Sequence, residues 1–382
     1  MPRDCKNTEF SYWEHKGWLE ERDIVIIGAG FVGLSAAIEC RKLNPSARLT
    51  ILEASALNGG GSTRNAGFAC FGSPSELLED WRNLGRSETV ALVKRRVSGL
   101  KWLLKEFGEE AIGYENCGSV EVFSAENAKL GGEVLAFLPE LNEALFDVLG
   151  GTAFEVVAGV LGVDGCGLCV SSPFEGLLDT AALYREFLRK NINSGVDILN
   201  GVRVEEIVKS ENGWELKIDG GVVETRQVLV ANNSMASELI PEIDVRPEAN
   251  RVLVTKVLPD LVYTGTCHHD RGYVYLRRID TAEGPRMLIG GGRQWGDGDS
   301  DEVREKLLTF LKSHIVGAEK AEVEYEWKGY LGIGDARNPI CKTIQSGLHV
   351  GVRLGGMGVA LGGELGVELA RLARDSLVMP AK

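Results

Sequence analysis

The segment RDIVIIGAGFVGLSAAIECRKLNPSARLTILEA, residues 22–54, constrains the fold more than any other part of the chain. An apolar strand is expected at 24–27. It runs into Gly28-Ala29-Gly30-Phe31-Val32-Gly33, after which small residues at Ser35, Ala36 and Ala37 open a helix. A second apolar strand, 49–52, ends on Glu53-Ala54. Gly28 permits a tight turn, Gly30 lets the backbone approach a pyrophosphate, and Gly33 lets the helix pack close to the strand. The helix N-terminus turns its positive dipole end toward the phosphates. Glu53 is spaced to accept hydrogen bonds from ribose hydroxyls, and an acid there favours a free 2′-hydroxyl over a 2′-phosphate. Strand, glycines, helix and acid at this spacing predict a βαβ unit that holds a dinucleotide, with FAD and NAD both open.

The rest of the composition narrows the class. A chain of 382 residues suggests two or so domains. With 44% hydrophobic and 25% charged residues it can bury a sizeable core. Glycine clusters at 59–61, 290–292 and 355–358 fit a backbone that approaches a large ligand. The net charge of −13 comes without a basic stripe, so no nucleic-acid footprint is expected. Apolar runs fall short of the ~20 residues of a membrane span. The first residues lack the apolar core of a signal peptide, so a cytoplasmic protein is expected. The N-terminal extension, 1–21, carries Phe10, Tyr12, Trp13 and Trp18 and is expected to pack on the body or on a partner. Cys5, Cys40, Cys70, Cys117, Cys166, Cys169, Cys267 and Cys341 are scattered and read as free thiols. Cys166-x-x-Cys169 lacks the partner pair of a four-ligand zinc site, so no metal is expected.

Along the chain, helices are expected at 74–81 and 88–107, the second with apolar residues at helical spacing. A strand is expected at 119–123, a helix-rich stretch at 125–149 and a short strand at 153–157. Leu178-Asp179-Thr180 caps a helix running to about 193. Three strand pieces follow, VDILNGVRVEEIVKS, GWELKID and VETRQVLVANN, separated by hairpin signals at Asn212-Gly213 and 219–221. The last piece, apolar at 227–231, fits a buried parallel strand. Residues 246–326 are mostly β, with a helix at 301–314. His268-His269 is expected in a solvent-facing loop. The end, HVGVRLGGMG followed by VALGGELGVELARLARD, reads as a strand, a glycine turn and an amphipathic helix.

Five segments in this order resemble a known family: the grip ending at Glu53; GGSTRNAG at 60–67; GVRVEEI with VLVANNSMASELIP; GYVYLRR with MLIGGGR; and GLHVGVRLGGMGVALG. The chain resembles the FAD-dependent amine and amino-acid oxidases related to D-amino-acid oxidase, glycine oxidase and sarcosine oxidase. Within that family its motifs are most similar to gamma-glutamylputrescine oxidases, at Gly60, Ser62, Arg64, Asn65 and Gly67 and in WKGYLGIGDARNP, 327–339. The resemblance implies an α/β fold in which a Rossmann-type FAD-binding domain is discontinuous, over 22–75, 171–236 and 329–382. A second α+β substrate domain, built on an antiparallel sheet, would take 76–170 and 237–328.

The resemblance also implies site residues. Gly28 to Gly33 would hold the pyrophosphate, and Glu53 with Ala54 the adenosine ribose. The loop Gly61, Ser62, Thr63, Arg64, Asn65, Ala66 and Gly67 would offer backbone N–H groups and the Arg64 guanidinium to phosphate or flavin oxygens. Val204 would meet the adenine edge through its backbone, and Ala231 and Asn232 would end a strand at the cofactor. Gly355, Gly356, Met357, Gly358 and Val359 precede a helix whose N-terminus would stabilise negative charge on a reduced flavin. A hydride would pass from the carbon next to an amine nitrogen to flavin N5, giving an imine that hydrolyses, with oxygen or another acceptor reoxidising the flavin.

Three positions depart from relatives. Leu331 stands where amino-acid oxidases carry an arginine for the substrate carboxylate. Leu288 stands where monomeric sarcosine oxidases carry a lysine for oxygen. Cys341 lacks the motif of a flavin tether, so FAD is expected to be non-covalent. Pocket candidates are Tyr273, Tyr275, Arg277, Tyr330 and Cys70, with Phe68 nearby and Arg277 offered for a remote carboxylate. Two alternatives stay open: a glycine or D-amino-acid oxidase, and a flavoprotein with a non-catalytic role.

Overall fold

The computed structural model describes residues 10–296, 298 and 300–378. Cys5 and the start of the aromatic extension lie outside the described residues. Two eight-stranded sheets organise the chain. The main path of the first runs Ile340–Gln345, Leu348–Val352, Gly221–Val230, Arg22–Ile27, Leu49–Glu53, Asp197–Asn200. Arg22–Ile27 is central, parallel to Gly221–Val230 on one side and to Leu49–Glu53 on the other. The hairpin Val204–Lys209 and Trp214–Ile218 joins antiparallel to the first half of Gly221–Val230.

The alternation of the pleat explains why the central strand is apolar throughout. Ile24 and Ile26 enter a core beneath helices Phe31–Leu43, Thr180–Asn193 and Gly358–Val378. Val25 and Ile27 face the other way, into a core with Trp214, Leu216, Val228 and Val350. The first helix lies close to the strand because Gly33 has no side chain: a Cβ there would stand 2.0 Å from the Gly28 carbonyl oxygen. Asp179 caps Thr180–Asn193 by accepting the N–H groups of Ala181 and Ala182 at 2.8 and 2.9 Å, as its sequence position predicts.

The second sheet is ordered Val323–Ile333, Arg246–Thr255, Gly284–Gly291, Val274–Thr281, Thr266–His269, Ser119–Ser124, Cys166–Ser172, Glu155–Val157. Thr266–His269 pairs parallel with Ser119–Ser124, and the other pairs are antiparallel. Helix Asp301–His314 covers one face through Val303, Leu307, Leu308 and Leu311. Helices Pro74–Leu84, Arg86–Phe107 and Ala128–Leu149 pack into a further core. The whole is a mixed α/β fold with a parallel sheet beside a mostly antiparallel one.

Three expectations need correction. VDILNGVRVEEIVKS is two strands, Asp197–Asn200 and Val204–Lys209, broken at Gly201 where φ is +76°. The strand Val323–Ile333 continues past 328, where the sequence reading placed a change of domain, and residues 329–333 stay in the second sheet. His268 and His269 are not in an exposed loop. They lie on the buried strand Thr266–His269, and each is 6% exposed. Their polarity hid the strand, because the imidazoles find partners inside: Glu175 for His268 and the Val122 carbonyl, 2.9 Å from Nδ1, for His269.

Two expected outcomes follow from this packing. Gly99 lies against the last helix, and a Cβ there would stand 1.8 Å from the Ala360 carbonyl oxygen. Gly99→Ala lowers stability by about 1–3 kcal/mol as an overpacked contact. Gly132→Ala, on an exposed helix face with nothing within 4 Å, raises it by about 0.5–1 kcal/mol. Denaturant midpoints measure both. His349 is fully buried on Leu348–Val352, and burial pushes its imidazole down to about 4. The unfolded chain takes up a proton near pH 6.5 that the folded chain refuses until about 4. Stability from this group is therefore present above pH 6.5 and lost as pH falls through that window, and His349→Asn flattens the measured pH dependence there.

Candidate functional site

A cleft with an empty volume of about 1440 Å³ opens beyond the carboxyl ends of the central parallel strands. Of the residues expected at a dinucleotide, Gly28, Gly30, Phe31, Val32, Glu53, Ala54, Gly61, Ser62, Asn65, Val204, Ala231, Asn232, Gly355, Gly356, Gly358 and Val359 line it. Ala29, Gly33, Thr63 and Gly67 are not among its lining residues. Arg64, Ala66 and Met357 line the neighbouring cavity instead.

The cleft's polar groups are aimed in advance. Glu53 Oε2 accepts the Ala29 N–H at 2.9 Å, and Oε1 accepts the Ser55 N–H at 2.9 Å and its hydroxyl at 2.6 Å. The carboxylate is thereby fixed with acceptor capacity left over. Ser62 Oγ accepts the N–H of Phe31 at 2.9 Å at the helix start. Gly28 has φ +103°, and a Cβ there would stand 3.0 Å from the Ala231 carbonyl oxygen. Asn232 Oδ1 is buried on the cleft wall with no partner. An acid fixed at the strand end, an open helix N-terminus and an orphaned acceptor fit a dinucleotide with a free 2′-hydroxyl.

A second cavity, with an empty volume of about 1020 Å³, abuts the cleft. Gly61, Asn65, Tyr330, Leu331, Gly356 and Val359 line both. Tyr273, Tyr275, Tyr330 and Cys70 line it together, beside Phe68, Val252 and Met357. Burial pushes the Tyr275 hydroxyl up to about 12 and the Cys70 thiol well above its usual range. Leu288 packs behind Tyr275 with Val252 and Val254.

Arg277 is absent from the lining. Its Nη1 donates to the carbonyls of Ala66, Gly67 and Leu178 at 3.1, 3.3 and 2.9 Å. It is neither a surface cation nor a ligand holder but a strap across the loop 61–67.

Sequence reasoning missed Glu76, Asn250, His268, Arg271, Arg293 and Arg337, all on the cavity wall. Arg337 pairs with Asp80 at 2.8 Å and with Glu79, and Arg271 with Asp270 at 2.9 Å. Arg293 lies over the Tyr273 ring, 4.6 Å from its centroid. One signal was available: Arg293 directly follows the triple glycine 290–292.

His268 Nε2 stands 3.4 Å from Glu175 Oε2, and both side chains are buried. Glu175 Oε1 accepts the N–H groups of Phe71 and Gly72 at 2.8 and 3.1 Å. Burial alone would lower the His268 imidazole, but Glu175, helped by Glu121 and Glu76, raises it above its ordinary value. Burial would raise Glu175, but His268 and the surrounding hydrogen bonds hold it below the usual carboxylate range.

Residues 23–372 match the DAO family, described as FAD dependent oxidoreductase. The chain belongs to this family. A probable oxidoreductase, OrdL, of Rhizobium meliloti (strain 1021) is 23% identical over 375 residues, which are 92% of this chain and 82% of that one. Gamma-glutamylputrescine oxidoreductase of Escherichia coli (strain K12) is 25% identical, over 91% of this chain and 83% of that one. The crystal structure of glycine oxidase from Geobacillus kaustophilus superposes with a TM-score of 0.73 at 18% identity, covering 93% and 95% of the two chains. This FAD-dependent oxidoreductase therefore shares its fold with amino-acid-oxidising relatives while differing from them in most residues.

Glu175→Gln removes the carboxylate that raises the His268 pKa. The His268 pKa then falls below its ordinary value, because burial is left as the dominant influence. An NMR titration of the imidazole reads this. Breaking the buried pair also costs about 3 kcal/mol of stability at pH values where His268 is protonated.

Proposed function

We propose that the chain holds FAD non-covalently in the first cleft and oxidises an amine bound in the second cavity. When bound, the flavin accepts a hydride from the carbon next to the amine nitrogen, and the resulting imine hydrolyses. The observation that carries this reading is the shared wall. Gly61, Asn65, Tyr330, Leu331, Gly356 and Val359 line both the dinucleotide cleft and the second cavity, so the two meet at one wall.

The chain's own residues have two tasks: to place the C–H and to keep the amine neutral. Phe68, Val252, Leu331 and Met357 supply apolar wall that excludes water, and burial disfavours an ammonium. Arg64, Arg271, Arg293, Arg337 and His268 face the same space, and Glu76 is the one acid among the described lining residues. Their field lowers the pKa of a bound amine further. No side chain has to remove the proton once the neutral amine is selected.

Non-covalent attachment is supported by the cysteines. Cys341 lies on Ile340–Gln345 and lines neither cavity, and burial with nearby Glu368 pushes its thiol up to about 12. Cys70 lines the substrate cavity but is a poor nucleophile for the same reason of burial. Leu288 offers no cation to activate oxygen, which favours another electron acceptor. The FAD-binding domain is assigned to 22–75, 171–236 and the chain after the strand Val323–Ile333, and the substrate domain to the intervening segments.

The test is direct. The purified protein is yellow, and heat precipitation releases FAD into the supernatant. Anaerobic mixing with a panel of amines bleaches the flavin, and transfer of the electrons to an artificial acceptor outpaces transfer to oxygen. A colourless protein that binds NAD would overturn the cofactor assignment. A tightly flavinated protein that no amine reduces would point to a non-catalytic role.

A further inference from the structure

We propose that Arg293 holds an anionic group of the substrate at the side of the cavity away from the cofactor cleft. The substrate is then an amine whose carboxylate is separated from the carbon that is oxidised. This deepens the proposed function and rests on it for the identity of the oxidised carbon.

The wall shared with the cleft contains no charged side chain: Gly61, Asn65, Tyr330, Leu331, Gly356 and Val359. An α-amino acid carries its carboxylate on the reacting carbon, which would set the charge against this uncharged wall. The cations stand elsewhere, and most are already engaged. Arg337 and Arg271 have carboxylate partners, and Arg64 Nη1 donates to the Lys328 carbonyl at 3.3 Å.

Arg293 differs. It opens the short turn Arg293–Trp295 at the end of Gly284–Gly291, and its side chain is 21% exposed. Its Nε makes a long ion pair with Glu248 Oε1 at 3.7 Å, beyond hydrogen-bond length, and among the described residues its guanidinium donates no hydrogen bond. The Tyr273 ring fixes it from one side at 4.6 Å. A fixed, unspent guanidinium fork matches one carboxylate.

Asn250 gives an independent sign of a ligand. It is 7% exposed and lines the cavity. Its Oδ1 is buried without any partner. Arg251, the next residue, pairs with Gly291, so the strand register brings Asn250 toward the turn that carries Arg293. An orphaned carbonyl beside an unspent guanidinium calls for a molecule with both an N–H and an anion. Asn250 Oδ1 accepts the N–H, and Arg293 takes the carboxylate.

Isothermal titration calorimetry on the holoprotein, with δ-aminovalerate, n-pentylamine and norvaline, tests this. These share a five-carbon chain and differ in whether a carboxylate is present and where it sits. The expected result is that δ-aminovalerate binds at least about tenfold more tightly than either of the others. Arg293→Gln removes that advantage, Arg293→Lys restores part of it, and Asn250→Ala, which removes the acceptor for the amine N–H, weakens δ-aminovalerate and n-pentylamine alike. Equal Kd values for δ-aminovalerate and norvaline, or an advantage that survives in Arg293→Gln, would overturn the proposal. Unchanged Tm and FAD content in Arg293→Lys separate loss of binding from loss of fold. Calorimetry registers the ligand whether or not the flavin is reduced. Binding without bleaching would therefore sink the oxidation reading and leave the anion site standing.

Discussion

The contact between Gly33 and the Gly28 carbonyl sets the positions of everything around it. It presses helix Phe31–Leu43 onto the central strand more closely than any side chain would allow. The closeness is then passed on by other small residues. A Cβ at Gly366 would stand 2.5 Å from Ser35 Cβ, and one at Gly362 would stand 2.7 Å from Phe31 Cβ, so the last helix nests on the first. Gly99 meets the Ala360 carbonyl and brings Arg86–Phe107 against that same helix. Val359 and Ala360, at the start of the last helix, line the second cavity. The two cavities thus meet at a wall whose distance from the dinucleotide turn is fixed by glycine contacts.

Arginines bind the second sheet to this frame through backbone carbonyls. Arg277 reaches from Val274–Thr281 to the carbonyls of Ala66, Gly67 and Leu178. Trp327 of the second sheet adds to this, its Nε1 donating to the Arg64 carbonyl at 3.0 Å. Carbonyl oxygens of a loop are obligatory acceptors, so a guanidinium that satisfies three of them fixes the loop's path as firmly as a strand would. Burial lowers the Arg277 pKa from its usual value, but an arginine has charge to spare. A site whose walls are held this way is preorganised rather than assembled by its ligand.

The part of the fold that was readable in the sequence is the part set by local rules. Period-two apolar runs, the glycine turn and the Asp179 cap each carry their structure within a few residues. The same holds for Glu53, whose spacing from Gly33 is a property of one βαβ unit. What was not readable depends on partners far along the chain. His268 and His269 look like a polar loop until Glu175 supplies a charged neighbour to the first and the Val122 carbonyl a hydrogen bond to the second. Arg277 looks like a surface cation on an alternating strand until three carbonyls from two other segments converge on it. Arg293 and Asn250 are single polar residues beside apolar strands. Only the antiparallel pairing of Arg246–Thr255 with Gly284–Gly291 shows that they share a wall.

The electrostatics of the cavity follow from how its cations are backed. Asp80 is wholly buried between Arg96 and Arg337, 3.5 Å from one and 2.8 Å from the other. Burial pushes its carboxyl up to about 6 even so. Glu175 stands behind His268 in the same manner, and Asp270 beside Arg271. Each pair is close to neutral from a distance, which lets an acidic protein of net charge −13 keep arginines around an enclosed space. Inside that space the nearer member of each pair is positive. The low dielectric of the wall strengthens its field relative to water. Such a field favours an anionic group and disfavours an ammonium. In the proposed reading, the binding of an anionic group at Arg293 and the selection of a neutral amine therefore draw on the same set of cations.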